Sequence, residues 1–251
     1  MRIRDEALVL RRIPFRNTSL VVHFLTRERG FLAALAKGVR KSRRGERAAL
    51  AGFHTVEVLC QGRASGGLVT LTGVEIHTSR HHIQTDAKGL AAAQLLLEIA
   101  YRHCPPGEPQ PVFFAELTEG LDLMDAGGDP LTVTVALQGR MLRQLGYGWQ
   151  LDRCAGCGGE GDFAWFSPKS CRAVCRGCGE PWADRLLPLG EGLKNAMEQL
   201  AWPPDFNLLS PADGALLYHL ENICLTRHGG EALKSDPSFR RAFVGLNGEE
   251  A

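Results

Sequence analysis

A chain of 251 residues with 44% hydrophobic and 23% charged side chains has the composition of a folded globular protein and not of a disordered one. Its 29 Lys and Arg against 28 Asp and Glu leave a net charge of +1, and no stretch approaches the roughly 18 uninterrupted apolar residues of a membrane span. The opening MRIRDEALVLRRIPF is charged throughout and lacks the apolar core of a secretory signal, so a cytoplasmic protein is expected. The near-neutral total hides a split. Residues 1–80 hold fifteen Lys and Arg against six Asp and Glu, a balance of +9, and the remainder holds fourteen against twenty-two, −8. Such an asymmetry points to a polyanion as the partner of the front of the chain.

In chain order, EALVLRRI (6–13), SLVVHFLT (19–26), GFLAALAK (30–37), FHTVEVLC (53–60) and GLVTLTGVEI (67–76) read as short strands. They are rich in Val, Leu, Ile, Phe and Thr, several alternate at period two, and Arg29-Gly30 and Gly66-Gly67 supply turns. Five strands without long helices between them predict a small barrel, an OB-fold first and an SH3-like barrel second. From residue 84 the period becomes helical. The segments 85–104 (capped by Asp86), 111–127, 129–148 (with Pro130 in the first turn), 190–202, 210–230 and 235–245 are expected helices. The Thr-Val-Thr-Val run inside 129–148 speaks for strand and against that assignment. The expected fold class is therefore α+β and multidomain. An OB-fold β-barrel (1–80) precedes an α-helical domain in two parts (81–150 and 185–251), and a four-cysteine zinc insertion (151–184) divides it.

Five of the eight cysteines lie within residues 154–178. Cys154-x2-Cys157 and Cys175-x2-Cys178 are two knuckles at the spacing of a tetrahedral four-cysteine zinc site. Each C-x-x-C turn aims two thiolates at one ion, and Gly158 and Gly179 are expected to let backbone N–H groups reach the sulfurs. Four thiolates leave no open coordination position, so a structural Zn²⁺ is expected and not a hydrolytic one. Cys171 is surplus and is read as a non-ligand. Cys60, Cys104 and Cys224 are read as small core hydrophobes.

The run KGVRKSRRGER (37–47) supplies Lys37, Arg40, Lys41, Arg43, Arg44 and Arg47 with one acid, Glu46. It follows the third strand and is expected to be an exposed arm contacting phosphates, with Arg11, Arg12 and Arg16 lining the same side. A solvated loop is the bland alternative, against which the +9 of the module weighs. Of Phe15, Phe24, Phe31 and Phe53, at most one is expected to stack on bases, since a small barrel needs the others as core. Four neutralised phosphates would make single-strand binding roughly fifty-fold weaker between 50 and 200 mM salt. His77, His81 and His82 are read as an exposed connector. No nucleotide-binding loop, nucleophile elbow or zinc-protease motif is present, and no enzyme is expected.

Taken together, these residues resemble the bacterial RecO recombination-mediator family. The family's opening strand, T-x-x-x-G and A-K-G-x-R pattern is matched by Ala7 to Leu10, Thr26 to Gly30 and Ala36 to Arg40. LGYGWQLDRCAGCG, FSP and CRAVCRGCG resemble its zinc insertion, and ALLYHLENICLTRHGGEALKSDPSFRR its closing helices. Members often carry G-G before the second knuckle, where this chain has Ser170-Cys171. The resemblance implies binding of single- and double-stranded DNA, annealing of complementary strands and assistance to RecA in recombinational DNA repair. It further implies RecR and the acidic tail of the single-stranded DNA-binding protein as partners, at the nucleoid. Apolar residues near LLYHLENICL are an expected partner groove. A zinc-ribbon OB-fold RNA-binding protein shares the same features, and a metal-dependent nuclease would need a carboxylate-rich site besides.

Overall fold

Period-two alternation decides the front of the molecule. In the computed structural model, which describes residues 2–41, 44–62, 67–199, 203–205, 209–229 and 231–243, β1 (Arg2–Phe15), β2 (Ser19–Thr26), β3 (Gly30–Ala36), β4 (Thr55–Gln61) and β5 (Val69–Thr78) close into a barrel. The order is β1-β2-β3-β5-β4, antiparallel except for β3 with β5, and this is an OB-fold. Strict alternation along β3 turns Leu32, Ala34 and Ala36 inward. They meet Ile3, Ala7, Val22, Phe24, Val56, Val58 and Val74 from the other strands. Between β3 and β4 the chain makes a 3-10 turn (Val39–Lys41) and the short helix α1 (Arg44–Ala49), which adds Val39 and Ala49 to the same core.

The chain forms two compact units, Met1–Pro130 with Leu233–Ala242, and Leu131–Ala232 with Phe243–Ala251. The first unit joins the barrel to α2 (His82–Thr85), α3 (Ala87–His103) and α4 (Pro111–Asp125). Asp86 caps α3 as its sequence predicts, accepting from the Gly89 N–H at 2.6 Å. The loop after α3 lies against β3: Pro106 bridges to Phe31, and a Cβ on Gly30 (φ +66°) would strike the Glu108 carbonyl.

Arg80 ties the helices to the barrel. Its side chain is fully buried and each of its three nitrogens is hydrogen-bonded, to Asp122 (2.7 Å), the Phe53 and Thr118 carbonyls and Thr55 Oγ1. Removing the guanidinium leaves Thr55 Oγ1 and two carbonyls without their donor, while the half-exposed Asp122 turns to water. Arg80→Ala is expected to cost about 1–3 kcal/mol, read as a fall in the denaturant midpoint.

α9 (Asp236–Ala242) returns to this unit through Glu98 on α3. The Glu98 carboxylate accepts from the Lys234 and Ser235 N–H groups and from Ser235 Oγ, and pairs with Arg102 at 2.7 Å. Burial alone would push this carboxyl up, but those donors and the Arg102 charge outweigh it and hold it below the ordinary carboxylate range. A depressed carboxyl contributes stability at neutral pH and loses it as pH falls through the folded-state value. The stability gap between the protein and Glu98→Gln, from urea titrations, is therefore expected to be full at pH 6 and to close below about pH 4.

In the second unit, α5 (Pro130–Gln144) is a helix despite its β-branched run, because Val133, Thr134 and Val135 are all buried against neighbours. Gly146, at φ +77°, ends it, with the Gly146 and Tyr147 N–H groups returning to the Arg143 and Leu142 carbonyls. β6 (Phe163–Ser167), β7 (Arg172–Cys175) and β8 (Leu187–Pro188) form a small sheet in the order β7-β6-β8, with α6 (Arg176–Gly179) directly after β7. Helices α7 (Glu191–Gln199) and α8 (Pro211–Gly229) follow, and Ser210 Oγ caps α8 at the Asp213 N–H.

One expectation fails here. His77 is not in a connector: it lies on β5, with Nε2 3.2 Å from Glu6. Of the apolar residues of LLYHLENICL, Leu217, Tyr218, Leu220 and Cys224 are buried, while Ile223 stays partly exposed and lines a shallow depression.

Candidate nucleic-acid interface and metal centre

The register of β1 with β2 separates the charges of the barrel. Ala7 opposite Thr26 sets Asp5 and Glu6 beside the β2–β3 turn, and Phe15 opposite Ser19 puts the hairpin tip eight residues further along β1. The two ends are about 26 Å apart at 3.3 Å per residue. At the first end the carboxylates are occupied: Glu6 by Arg27 (3.0 Å), Asp5 by Arg29 (3.9 Å) and Glu57, across from Glu6 on β4, by Arg4 (2.8 Å). Burial raises the Asp5 carboxyl, while the Glu28 N–H, Thr26 and Arg29 oppose the rise.

The other end is cationic and unneutralised. Among the described residues, no ion pair ties Arg11, Arg12, Arg16, Lys37, Arg40, Lys41 or Arg47 to a carboxylate. The basic run is not a free arm, as its charge density suggests, but is hooked onto the hairpin tip. Gly38 (φ +68°) turns the chain so that its N–H reaches Ser19 Oγ, and the Arg40 N–H donates to the Thr18 carbonyl at 3.0 Å. Arg40 Nη1 adds a bond to the Asn17 carbonyl, and Arg47 Nη1 one to the Arg40 carbonyl. Lys37, Arg40, Lys41 and Arg47 are exposed. Arg44 opens α1, and Arg43 lies outside the described residues.

Arg11 and Arg12 diverge in their surroundings. Arg11 lies over the Tyr101 ring of α3 at 5.3 Å and opposite His23, itself stacked on Tyr101. Burial and then the Arg11 charge lower the His23 pKa. Arg12, opposite Val22, is exposed. Of the four phenylalanines, Phe24 is core and Phe31 packs on His23 and Tyr101. Phe15 stands exposed at the hairpin tip beside the Arg16 guanidinium.

In the second unit, Cys154, Cys157, Cys175 and Cys178 come together with all four Sγ atoms within 4.8 Å of one another. The Cys157–Cys175 separation is 3.9 Å. Four Sγ atoms at a Zn–S distance of ~2.3 Å around a tetrahedral centre would stand ~3.8 Å apart, so the cluster fits and could hold a metal ion. The N–H groups of Gly156 and Cys175 both lie 3.3 Å from Cys154 Sγ. Gly158 makes the left-handed turn of the first knuckle (φ +72°), and Gly179 makes room for the Trp165 ring. Burial opposes ionisation of Cys154, yet the Cys175, Cys157 and Gly156 N–H donors bring its thiol down to about 6. Cys178, held by its sulfur neighbours Cys175 and Cys157, is pushed up to about 12.

Cys171 is neither a fifth ligand nor incidental: it is disulfide-bonded to Cys224 of α8. The reading of Cys224 as an unpaired core hydrophobe is thereby corrected. Its partner lies 53 residues away, and neither position carries a pairing signal in sequence.

The chain thus joins an OB-fold barrel, one end of which carries exposed cations without ion pairs, to a later helical unit that carries a four-thiol cluster. Comparison with known proteins makes this specific. Residues 1–80 match the family model described as "Recombination protein O N terminal", and residues 84–237 the model for "Recombination protein O C terminal". The chain belongs to the RecO family of recombinational DNA repair proteins. It is 32% identical to the DNA repair protein RecO of Myxococcus xanthus over 93% of this chain and 95% of that one. Identity to the RecO of Bradyrhizobium sp. strain ORS 278 is 31% over 89% of this chain and 86% of the other.

Proposed function

We propose that this chain is a DNA-binding recombination mediator. It binds single- and double-stranded DNA on the cationic end of the barrel, anneals complementary strands and helps load RecA in recombinational repair. The observation that supports this reading is the segregation along β1, where Asp5, Glu6 and Glu57 are paired with Arg29, Arg27 and Arg4 at one end and the described cations of the other end have no ion pair. Lys37, Arg40, Lys41, Arg43, Arg44 and Arg47, with Arg12 and in part Arg11, are the phosphate contacts of this proposal, and Phe15 is its stacking residue. Annealing needs no covalent step. Weak, exchangeable phosphate contacts lower the repulsion between two strands while leaving their bases free to test registers.

Cys154, Cys157, Cys175 and Cys178 hold a structural Zn²⁺ in this reading, which supplies folding energy and no chemistry. The proposed partners are RecR and the acidic tail of the single-stranded DNA-binding protein, in the cytoplasm at the nucleoid. On the exposed side of the LLYHLENICL stretch of α8 and just beyond it, a shallow depression lined by Asn222, Ile223, Thr226 and Arg227 offers a cation beside an apolar floor. That is chemistry suited to an acidic tail.

The test is annealing of complementary oligonucleotides, bare and coated with single-stranded DNA-binding protein, followed by fluorescence. Accelerated annealing that falls off with salt is expected, and an unchanged rate would overturn the proposal. Preferential binding of structured RNA over single-stranded DNA in direct competition would favour the RNA-binding alternative, since only RNA offers 2′-OH contacts.

A further inference from the structure

The sheet of the second unit has a property that the metal-site reading does not use. β7 is only four residues long, about 13 Å, and its two ends are both cysteine-anchored. Cys175 at its far end belongs to the four-thiol cluster, and Cys171, the residue just before it, is bonded to Cys224 on α8. Between them β7 is also the strand on which the first knuckle rests. The Ala155 N–H donates to the Ala173 carbonyl at 2.8 Å, and Gln150 brackets the strand by donating to the Cys171 carbonyl and accepting from the Ala173 N–H. β6 lies along its other edge, with Phe163 opposite Cys175. Both knuckles thus take their positions from one short rod.

We propose that Cys171 and Cys224 are a reversible dithiol, oxidised and reduced by exchange with a small-molecule disulfide–thiol couple, and that their disulfide tightens the four-cysteine site by fixing the near end of β7. Three observations carry this. Cys171 lies outside the four-thiol cluster, so the pair forms without removing a metal ligand. Cys171 is held at φ +51°, a left-handed conformation that an L-residue with a side chain adopts only when its surroundings impose it, and here the bond to α8 is such a constraint. Although both sulfurs are buried, the turn immediately before Cys171 exposes Lys169 and Ser170, so opening that turn alone admits a small thiol.

The exchange balances as follows. A Cys171 thiolate attacks one sulfur of the small disulfide and expels one small thiolate, leaving a mixed disulfide. The Cys224 thiolate then attacks the Cys171 sulfur and expels the second small thiolate, and the two cysteine protons end on the released thiols. Two electrons pass from the dithiol to the small disulfide. By linkage, a disulfide that strengthens metal binding must itself be strengthened by the metal.

Glutathione serves as the probe couple. The full, metal-loaded chain is equilibrated with oxidised or reduced glutathione, alkylated and peptide-mapped, and metal transfer to a chromophoric chelator is timed. In the oxidised sample two fewer thiols are expected to alkylate, a peptide linking residues 171 and 224 is expected, and metal leaves about tenfold more slowly. The double substitution Cys171→Ala with Cys224→Ala is expected to abolish the dependence on glutathione state. If that variant binds no metal, the comparison of the two wild-type samples decides alone. Three results overturn the proposal: both thiols alkylating after oxidation, a link from either cysteine to a knuckle cysteine, or equal release rates in the two states.

Discussion

Replacing Lys37, Arg40 and Lys41 together by glutamine is expected to weaken single-stranded DNA binding roughly 100-fold at 0.1 M salt, since each phosphate contact contributes a salt slope of about −0.7. Glutamate at the same three positions is expected to weaken it further, by adding repulsion. The salt dependence should flatten in parallel, from a slope of about −2.8 for four contacts to about −0.7. Fluorescence anisotropy of a labelled oligonucleotide across 50–200 mM salt reads both quantities. Binding and slope that survive unchanged would remove the cationic end from the proposal. The substitutions spare the fold, because this segment is tied to the hairpin tip largely through the backbone N–H groups of Gly38 and Arg40. An unchanged circular dichroism spectrum checks that point.

Cys154→Ser is the second large effect. Cys154 is the buried member of the four, and its sulfur collects the N–H bonds of Gly156 and Cys175. A serine hydroxyl is a poor ligand for a thiophilic ion, so the metal content is expected to fall from about one per chain to near zero. With it goes most of the apparent ~10–16 kcal/mol of metal-binding free energy that folds such an element. Residues 151–188 should then become sensitive to limited proteolysis, while DNA affinity changes far less than in the triple substitution. Metal analysis and peptide mapping measure these outcomes, and a fully metal-loaded variant would contradict the assignment.

The barrel was legible because its core is written as alternation. β2 spans the expected residues, and β3 stops one residue short of its expected end. β1 runs from residue 2 to 15, well past the expected 6–13. Its extensions carry Arg2, Arg4 and Phe15 outward, which breaks the apolar signal without breaking the pairing. The knuckles were legible because a tetrahedral ion imposes a local spacing. The sheet that supports them was not, since strands of two to five residues are too short to show a period. The disulfide was illegible for a different reason: it joins residues 53 apart, and one partner sits in a helical run that reads as ordinary core. Arg80 was hidden by its type. An arginine in TSRHH looks like solvent-exposed surface, and only the arrival of Asp122 and the Thr118 carbonyl some forty residues later makes it interior.

That last arrangement bears on how the chain can be cut. A fragment ending at residue 80 keeps every strand of the barrel, yet it strips the Arg80 guanidinium of Asp122 and Thr118 and bares the flank of β3 that Pro106 covers. Aggregation is the expected fate of such a piece. A soluble, autonomous DNA-binding fragment should instead extend through the end of α4 at Asp125, where the guanidinium recovers its full complement of acceptors.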